Sequence, residues 1–306
     1  MFAARDPEPA VNQGAASGKC ACSPSVILER MQVTFLDRYR AGEREAVWDD
    51  LTALGPAVRH ELYLTDATKV ARETMQRARR NVELLIERLR AMGYHFLTQE
   101  NSEALQDAGL RRLHNLAHQA AAGAQASEFA RQQIAKSFAK PNVPLQPPDK
   151  KTAGALKRLE KIAGGPLPLS LRAWYEEVGA VSLIGWHSVL HPNPDEPGAS
   201  QYPPDPLVME PLELLLELAQ QEGVDGEFAL WLSPDDLTKA HTSGGDPYSI
   251  PIPNPSADAP FDDGNGRTFV NYLRHVFEWG GFPGWKCGPN PPREALASLT
   301  NGLLAI

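Results

Sequence analysis

The sequence predicts an α+β protein, an all-helical first part followed by a mostly antiparallel sheet flanked by helices. Three observations predict it. Up to about residue 138 the apolar residues recur at three- and four-residue spacing, the period of amphipathic helices, and no alternating run interrupts them. Residues 139–151 then carry Pro141, Pro144, Pro147 and Pro148, which block helix and ladder hydrogen bonds and favour extended chain. Beyond them, helical segments give way to short apolar runs punctuated by Gly and Pro, the pattern of strands framed by helices.

Taken in order, residues 1–24 are small, polar and bear Pro and Gly, which predicts a disordered lead-in. A first helix carries Leu28, Met31, Phe35, Leu36 and Tyr39 and stops at Gly42. A second carries Val47, Leu51 and Leu54 and ends at Gly55-Pro56. The strongest runs from Asp66, its N-cap, to Met92, with Gly93 as the stop. Val70, Ala78, Val82, Leu85, Ile86, Leu89 and Met92 form its apolar stripe. Its arginines, from Arg72 to Arg90, interleave with Glu73, Glu83 and Glu87 and read as a solvated face. A fourth helix follows Ser102, with Leu105, Leu113, Leu116 and Ala120 on one side, and a fifth runs from Ser127 to about Phe138. These elements make residues 25–138 a helical domain of unknown role and residues 139–151 a Pro-rich linker.

Residues 152–286 are the expected α+β domain, and residues 287–306 a C-terminal tail. Helices are predicted at Ala153–Ala163, at Ser170–Val178 with Ser170 as cap, and from Phe269 to about Trp279. Strands are predicted within Val181–Val189, Phe228–Leu232, Tyr248–Ile252 and Arg267–Val270.

Composition narrows the function. Of the 306 residues 42% are apolar and 22% charged, enough to bury a core, and no run approaches the length of a membrane span. Three cysteines, Cys20, Cys22 and Cys287, are too few for a disulfide framework, and the N-terminus lacks the pattern of a secretory signal, so a cytoplasmic protein is expected. Residues 1–150 hold 20 Lys and Arg against 18 Asp and Glu, and residues 151–306 hold 10 against 20. A near-neutral half is thus joined to one of net charge −10. The acidic half argues against nucleic acid as a partner and favours a basic protein.

The motifs that suggest chemistry fail on spacing. Gly14-Ala15-Ala16-Ser17-Gly18-Lys19-Cys20 has three residues between its glycines where a phosphate loop has four, and Cys20 where a hydroxyl must hold Mg²⁺. Gly264-Asn265-Gly266, preceded by Asp262 and Asp263, reads as a tight turn because Phe269 takes the third glycine position of a dinucleotide fingerprint. His114 and His118 share a helix face, but Asn115 stands where a zinc hydrolase carries its general base. His187 and His191 read as ordinary polar positions on an extended segment. The adjacent pairs Glu176-Glu177 and Asp235-Asp236 diverge on any regular element, so neither makes a catalytic dyad. No catalytic residue, metal or cofactor is expected. A metal-dependent hydrolase using His114 and His118 stands as a remote alternative.

Leu156-Lys157-Arg158-Leu159-Glu160-Lys161-Ile162-Ala163-Gly164-Gly165-Pro166-Leu167-Pro168, followed by Leu171-Arg172-Ala173-Trp174-Tyr175-Glu176-Glu177-Val178-Gly179-Ala180-Val181, resembles the opening of the SUKH superfamily. That group holds cell-wall-assembly regulators and bacterial immunity proteins. Ser243-Gly244-Gly245-Asp246-Pro247-Tyr248-Ser249-Ile250 is similar to the family's Gly-Asp-Pro-aromatic approach to a strand, and Phe269–Trp279 to its closing helix. The resemblance covers about residues 152–286. It implies binding without catalysis, often of a secreted nuclease-type toxin, and it also admits regulatory scaffolding. A basic nuclease suits the acidic half. Asp235, Asp236, Asp246, Asp262 and Asp263, on predicted loops of that half, are the candidate contact residues.

Overall fold

The computed structural model describes residues 33–98, 142–191, 204–221, 228–240 and 244–306. The expected lead-in, the helices after Ser102 and Ser127, the histidine pair His114/His118, and Cys20 and Cys22 lie outside the described residues.

The chain enters through α1 (Phe35–Ala41), α2 (Arg44–Ala53) and a 3₁₀ turn at Gly55–Arg59, then runs into α3 (Glu61–Ala91). This long helix begins at Glu61, five residues before its predicted cap, and follows the extended backbone of His60. Asp66 does cap a helix, but a different one: its carboxylate accepts from the N–H groups of Phe35 at 2.6 Å and Leu36 at 3.4 Å, at the start of α1. The predicted stop is found. Gly93, at φ +85°, lets Tyr94 N–H donate back to the Leu89 carbonyl at 2.8 Å and closes the helix end.

Four strands arise where none was predicted, two of them ahead of the expected α+β domain. β1 (His95–Phe96) follows Gly93 directly, and β2 (Leu145–Gln146) lies inside the expected linker. Its neighbours Pro144 and Pro147 lack N–H groups, which suits an edge position in the sheet β2-β3-β5, where the Pro144 carbonyl still accepts from Ser182 at 3.0 Å. The helices α4 (Thr152–Ile162) and α5 (Leu169–Glu177) match their predicted spans within one residue, and β3 (Ala180–Ser182) follows. Gly179 joins α5 to β3 at φ +91°, with the Gln146 carbonyl hard against the place where a Cβ would stand, so no other residue fits. Ser170 is inside α5 and does not cap it. Its hydroxyl donates to Asp258 at 2.6 Å, and the second oxygen of this buried carboxylate accepts from Val270 N–H at 3.1 Å.

The rest of the chain gives β4 (Gly185–Trp186), β5 (Val208–Met209), α6 (Leu212–Gln221), β6 (Phe228–Ser233), α7 (Asp236–Lys239), β7 (Tyr248–Ile252), β8 (Pro260–Phe261), β9 (Arg267–Thr268), α8 (Phe269–Glu278), a 3₁₀ turn at Pro283–Lys286, and α9 (Arg293–Thr300). All described pairings are antiparallel: β1-β4, β2-β3-β5, β6-β7 and β8-β9. Glu210 N–H donates to the Leu232 carbonyl, and Ser249 exchanges two bonds with Asp262, so backbone bonds also link β5 to β6 and β7 to β8. The protein is therefore α+β, with a helical N-terminal region and a strand-bearing C-terminal half.

The expected boundary at 139–151 does not divide the core. The described residues from Phe35 to Ile306 form one compact unit, in which α3 packs on α5 and α9. Leu51, Leu85, Trp174, Phe269 and Leu299 belong to a single buried cluster. The arginines of α3, read from sequence as a solvated face, bracket this packing. Arg79 donates to the Glu177 carbonyl at 3.0 Å, Arg88 to the Leu299 carbonyl at 2.6 Å, and Arg72 pairs with the Glu177 carboxylate at 2.9 Å. Asn81, buried at the middle of α3, exchanges two bonds with Leu304, so the expected tail is part of the fold. Among the described residues no helix is long and apolar enough to cross a membrane.

Candidate partner-binding surface

Antiparallel pairing gathers the five candidate aspartates. Ser233 at the end of β6 faces Tyr248 at the start of β7, Ser249 bridges to Asp262 just past β8, and Phe261 faces Arg267 at the start of β9. The C-terminal ends of β6 and β8 and the N-terminal ends of β7 and β9 thus share one end of the strand array. Asp235, Asp236, Asp246, Asp262 and Asp263 all lie at that end. Adjacent strands running in opposite directions bring together residues up to 28 apart in sequence.

Their environments differ. Asp235 is buried and caps α7, accepting from Leu237 N–H at 2.8 Å, Thr238 N–H at 3.0 Å and Thr238 Oγ1 at 2.6 Å. Burial raises its carboxyl, but the bonds from Thr238, Gly245 and Leu237 outweigh that and hold it below the usual carboxylate range. Gly244 sits hard against this cap, its Cβ position only 2.8 Å from Asp235 Oδ2. Asp263 is closed off in the same way: it pairs with Arg267 at 2.6 Å and accepts from Asn265 N–H at 2.9 Å. Neither is a free contact carboxylate, contrary to the sequence expectation. Asp246 and Asp262 are exposed, and Asp236 is half-buried.

Beneath this rim lies a buried pair. Lys239 Nζ is 2.7 Å from Asp205 Oδ1 and 4.6 Å from the centre of the Tyr248 ring, while Tyr248 donates its hydroxyl to Asp205 Oδ2 at 3.3 Å. Asp205 holds φ +49°, a left-handed conformation that an L side chain tolerates when its surroundings over-determine it. Burial raises the Asp236 carboxyl, with the Asp205 charge adding to the rise. Burial also raises Glu210, against the opposing charge of Lys239. Seven carboxylates, at 205, 210, 235, 236, 246, 262 and 263, thus stand with two cations, Lys239 and Arg267, among the described residues of this end.

One contact-type residue escaped the sequence reading. Trp231 on β6 is 42% exposed while its neighbours Leu230 and Leu232 are buried. Directly opposed residues of antiparallel strands share a face, so Trp231, Ser249 and Asp262 stand in one row, exposed at Trp231 and Asp262 with Ser249 buried between them. The signal is the period of two in Phe228–Leu232, hidden because every residue in the run is apolar. Leu237, 40% exposed on α7, extends the apolar surface beside the carboxylates. An aromatic anchor among carboxylates suits a cationic protein surface, since Trp accepts Arg and Lys side chains over its ring.

The two histidines read as lying on an extended segment are folded into a turn instead. His191 N–H donates to the His187 carbonyl at 2.8 Å, and His187 N–H donates to His191 Nδ1 at 3.3 Å. Burial lowers the His191 pKa to about 4, with the His187 charge also lowering it and a hydrogen bond with the His187 backbone opposing. Gly264-Asn265-Gly266 is the turn predicted for it, joining β8 to β9. No family model, no curated protein and no solved structure matches the chain.

Proposed function

We propose that the protein is a non-enzymatic binding protein of immunity type, which neutralises a basic, nuclease-like protein toxin through the acidic end of its β6–β9 strands. The observation that carries this reading is the outward row of Trp231 and Asp262, flanked by Asp246 and Asp236, on a chain whose second half has net charge −10. The resemblance of residues 152–286 to the SUKH superfamily supports it. Carboxylates at such a surface occupy the place of nucleic-acid phosphates on a nuclease, and steer association at low salt.

The test is a pull-down from lysate and culture fluid of the producing cells. The full chain is the bait, because α3 shares its core with the acidic half. The reading expects a basic nuclease that is released by raised salt, inhibited by the purified chain, and no longer held by a Trp231→Ala/Asp262→Lys variant. Retention of cell components unaffected by that variant would make the protein a regulatory scaffold.

A further inference from the structure

We propose that a second site, the cleft between α3, α4 and α5, binds a small phosphate-bearing ligand. The cleft has a volume of about 660 Å³, within the range of small-molecule sites. Its floor is aliphatic, formed by Leu64, Ala71, Leu169 and Ala173, and its walls are charged.

The balance of those charges singles out three cations. Arg172 pairs with Glu160 at 2.8 Å and with Glu176 at 3.0 Å, and Arg72 pairs with Glu177 at 2.9 Å, so the carboxylates of the cleft are already matched. Arg59, Lys157 and Lys161 have no carboxylate within ion-pair distance among the described residues. Lys157 and Lys161 are exposed and one turn apart on α4, so they project from one face. Arg59 is half-buried and held in place: its Nε donates to the Pro255 carbonyl at 2.8 Å and its Nη2 to the Leu167 carbonyl. The remaining N–H groups of its fork are uncommitted to those bonds. Burial lowers the Arg59 pKa, with Glu160 opposing and Arg172 adding.

Of the ten basic residues in the acidic half, Lys151, Lys157, Arg158, Lys161 and Arg172 fall within 22 residues. A fixed guanidinium with two mobile ammonium groups matches a phosphate, which takes a planar fork and point charges together. The aliphatic floor would hold an apolar or planar body attached to it. This inference rests on a different set of residues from the acidic strand end and stands independently of the function proposed there.

Isothermal titration of the full chain with ADP and, separately, with inorganic pyrophosphate tests it at low salt of about 50 mM. Binding of either probe is expected, weakened about tenfold or more by a Lys157→Ala/Lys161→Ala variant, whose exposed positions leave the fold intact. Tighter binding of ADP would assign its nucleoside to the aliphatic floor. Heat signals absent up to about 10 mM of either probe would overturn the proposal. Binding that the double variant leaves unchanged would overturn it equally. Affinity for single-stranded DNA that grows with strand length, without ADP or pyrophosphate binding, would replace it with a nucleic-acid groove.

Discussion

The acidic strand end and the cleft of α3, α4 and α5 use charge in opposite ways. At the strand end carboxylates exceed cations, and the one lysine is driven inside to Asp205. In the cleft the arginines of both halves take up the carboxylates, and the surplus left over is positive. In each region, part of the charge is engaged in holding the fold and the remainder faces outward. Net charge along the sequence therefore ranks regions poorly as binding surfaces until the internal partners are known.

The largest effect that would break this comparison is expected inside the strand end. Lys239→Ala leaves Asp205 buried without its cation and should cost about 3–5 kcal/mol in denaturant unfolding, while a Lys239→Met/Asp205→Asn double variant recovers much of it. Little loss in the single variant would mean that the pair is solvated and the rim loosely built. Next, Leu85→Ala removes a side chain from the core common to α3 and the strand-bearing half, at about 2–5 kcal/mol. Wild type and variant should each unfold in one transition. Two separated transitions would restore a two-domain protein.

The pH dependence sharpens the picture. The folded pKa of His191 lies near 4, below its ordinary value, so its neutral form supports the fold. That contribution is complete above about pH 6.5 and is lost as pH falls towards 4, an amount on the order of 3 kcal/mol in all. Thermal melts of a His191→Phe variant should lack this part of the acid slope. A smaller effect is expected at Asp235, where an Asp235→Ala change removes the cap of α7 at about 1 kcal/mol. Smallest in stability, within about 0.5 kcal/mol, are Asp246→Asn and Asp262→Asn, since both carboxylates are exposed. Their effect should instead fall on partner binding, and an equal effect from Asp235→Asn would blur the distinction between cap and contact.

How much of this is legible follows from where each signal resides. The helices α4, α5 and α8 can be read to within a residue or two because their apolar stripes, Gly stops and preceding prolines are local. The β6 and β7 strands are legible for the same reason. The two-residue strands β1, β2, β5 and β8 are not, since so short a segment shows no period and pairs only because a partner edge is there. The candidate aspartates are legible as acids on loops. That Asp235 caps α7, that Asp263 is bound by Arg267, and that Trp231 is the outward residue of an apolar run are not.

The sequence by itself determined the α+β class, the helices α4, α5 and α8, the strands β6 and β7, the turn at Gly264–Gly266 and the acidity of residues 151–306. These depend on residue spacing and composition. Tertiary structure decided that the described residues from Phe35 onward share one core, that the arginines of α3 serve as docking brackets, and that five scattered aspartates meet at one end of the strands. It also decided which charges remain for a partner. A charge acts through what lies within a few ångströms of it, and those neighbours come from parts of the chain that only folding brings together.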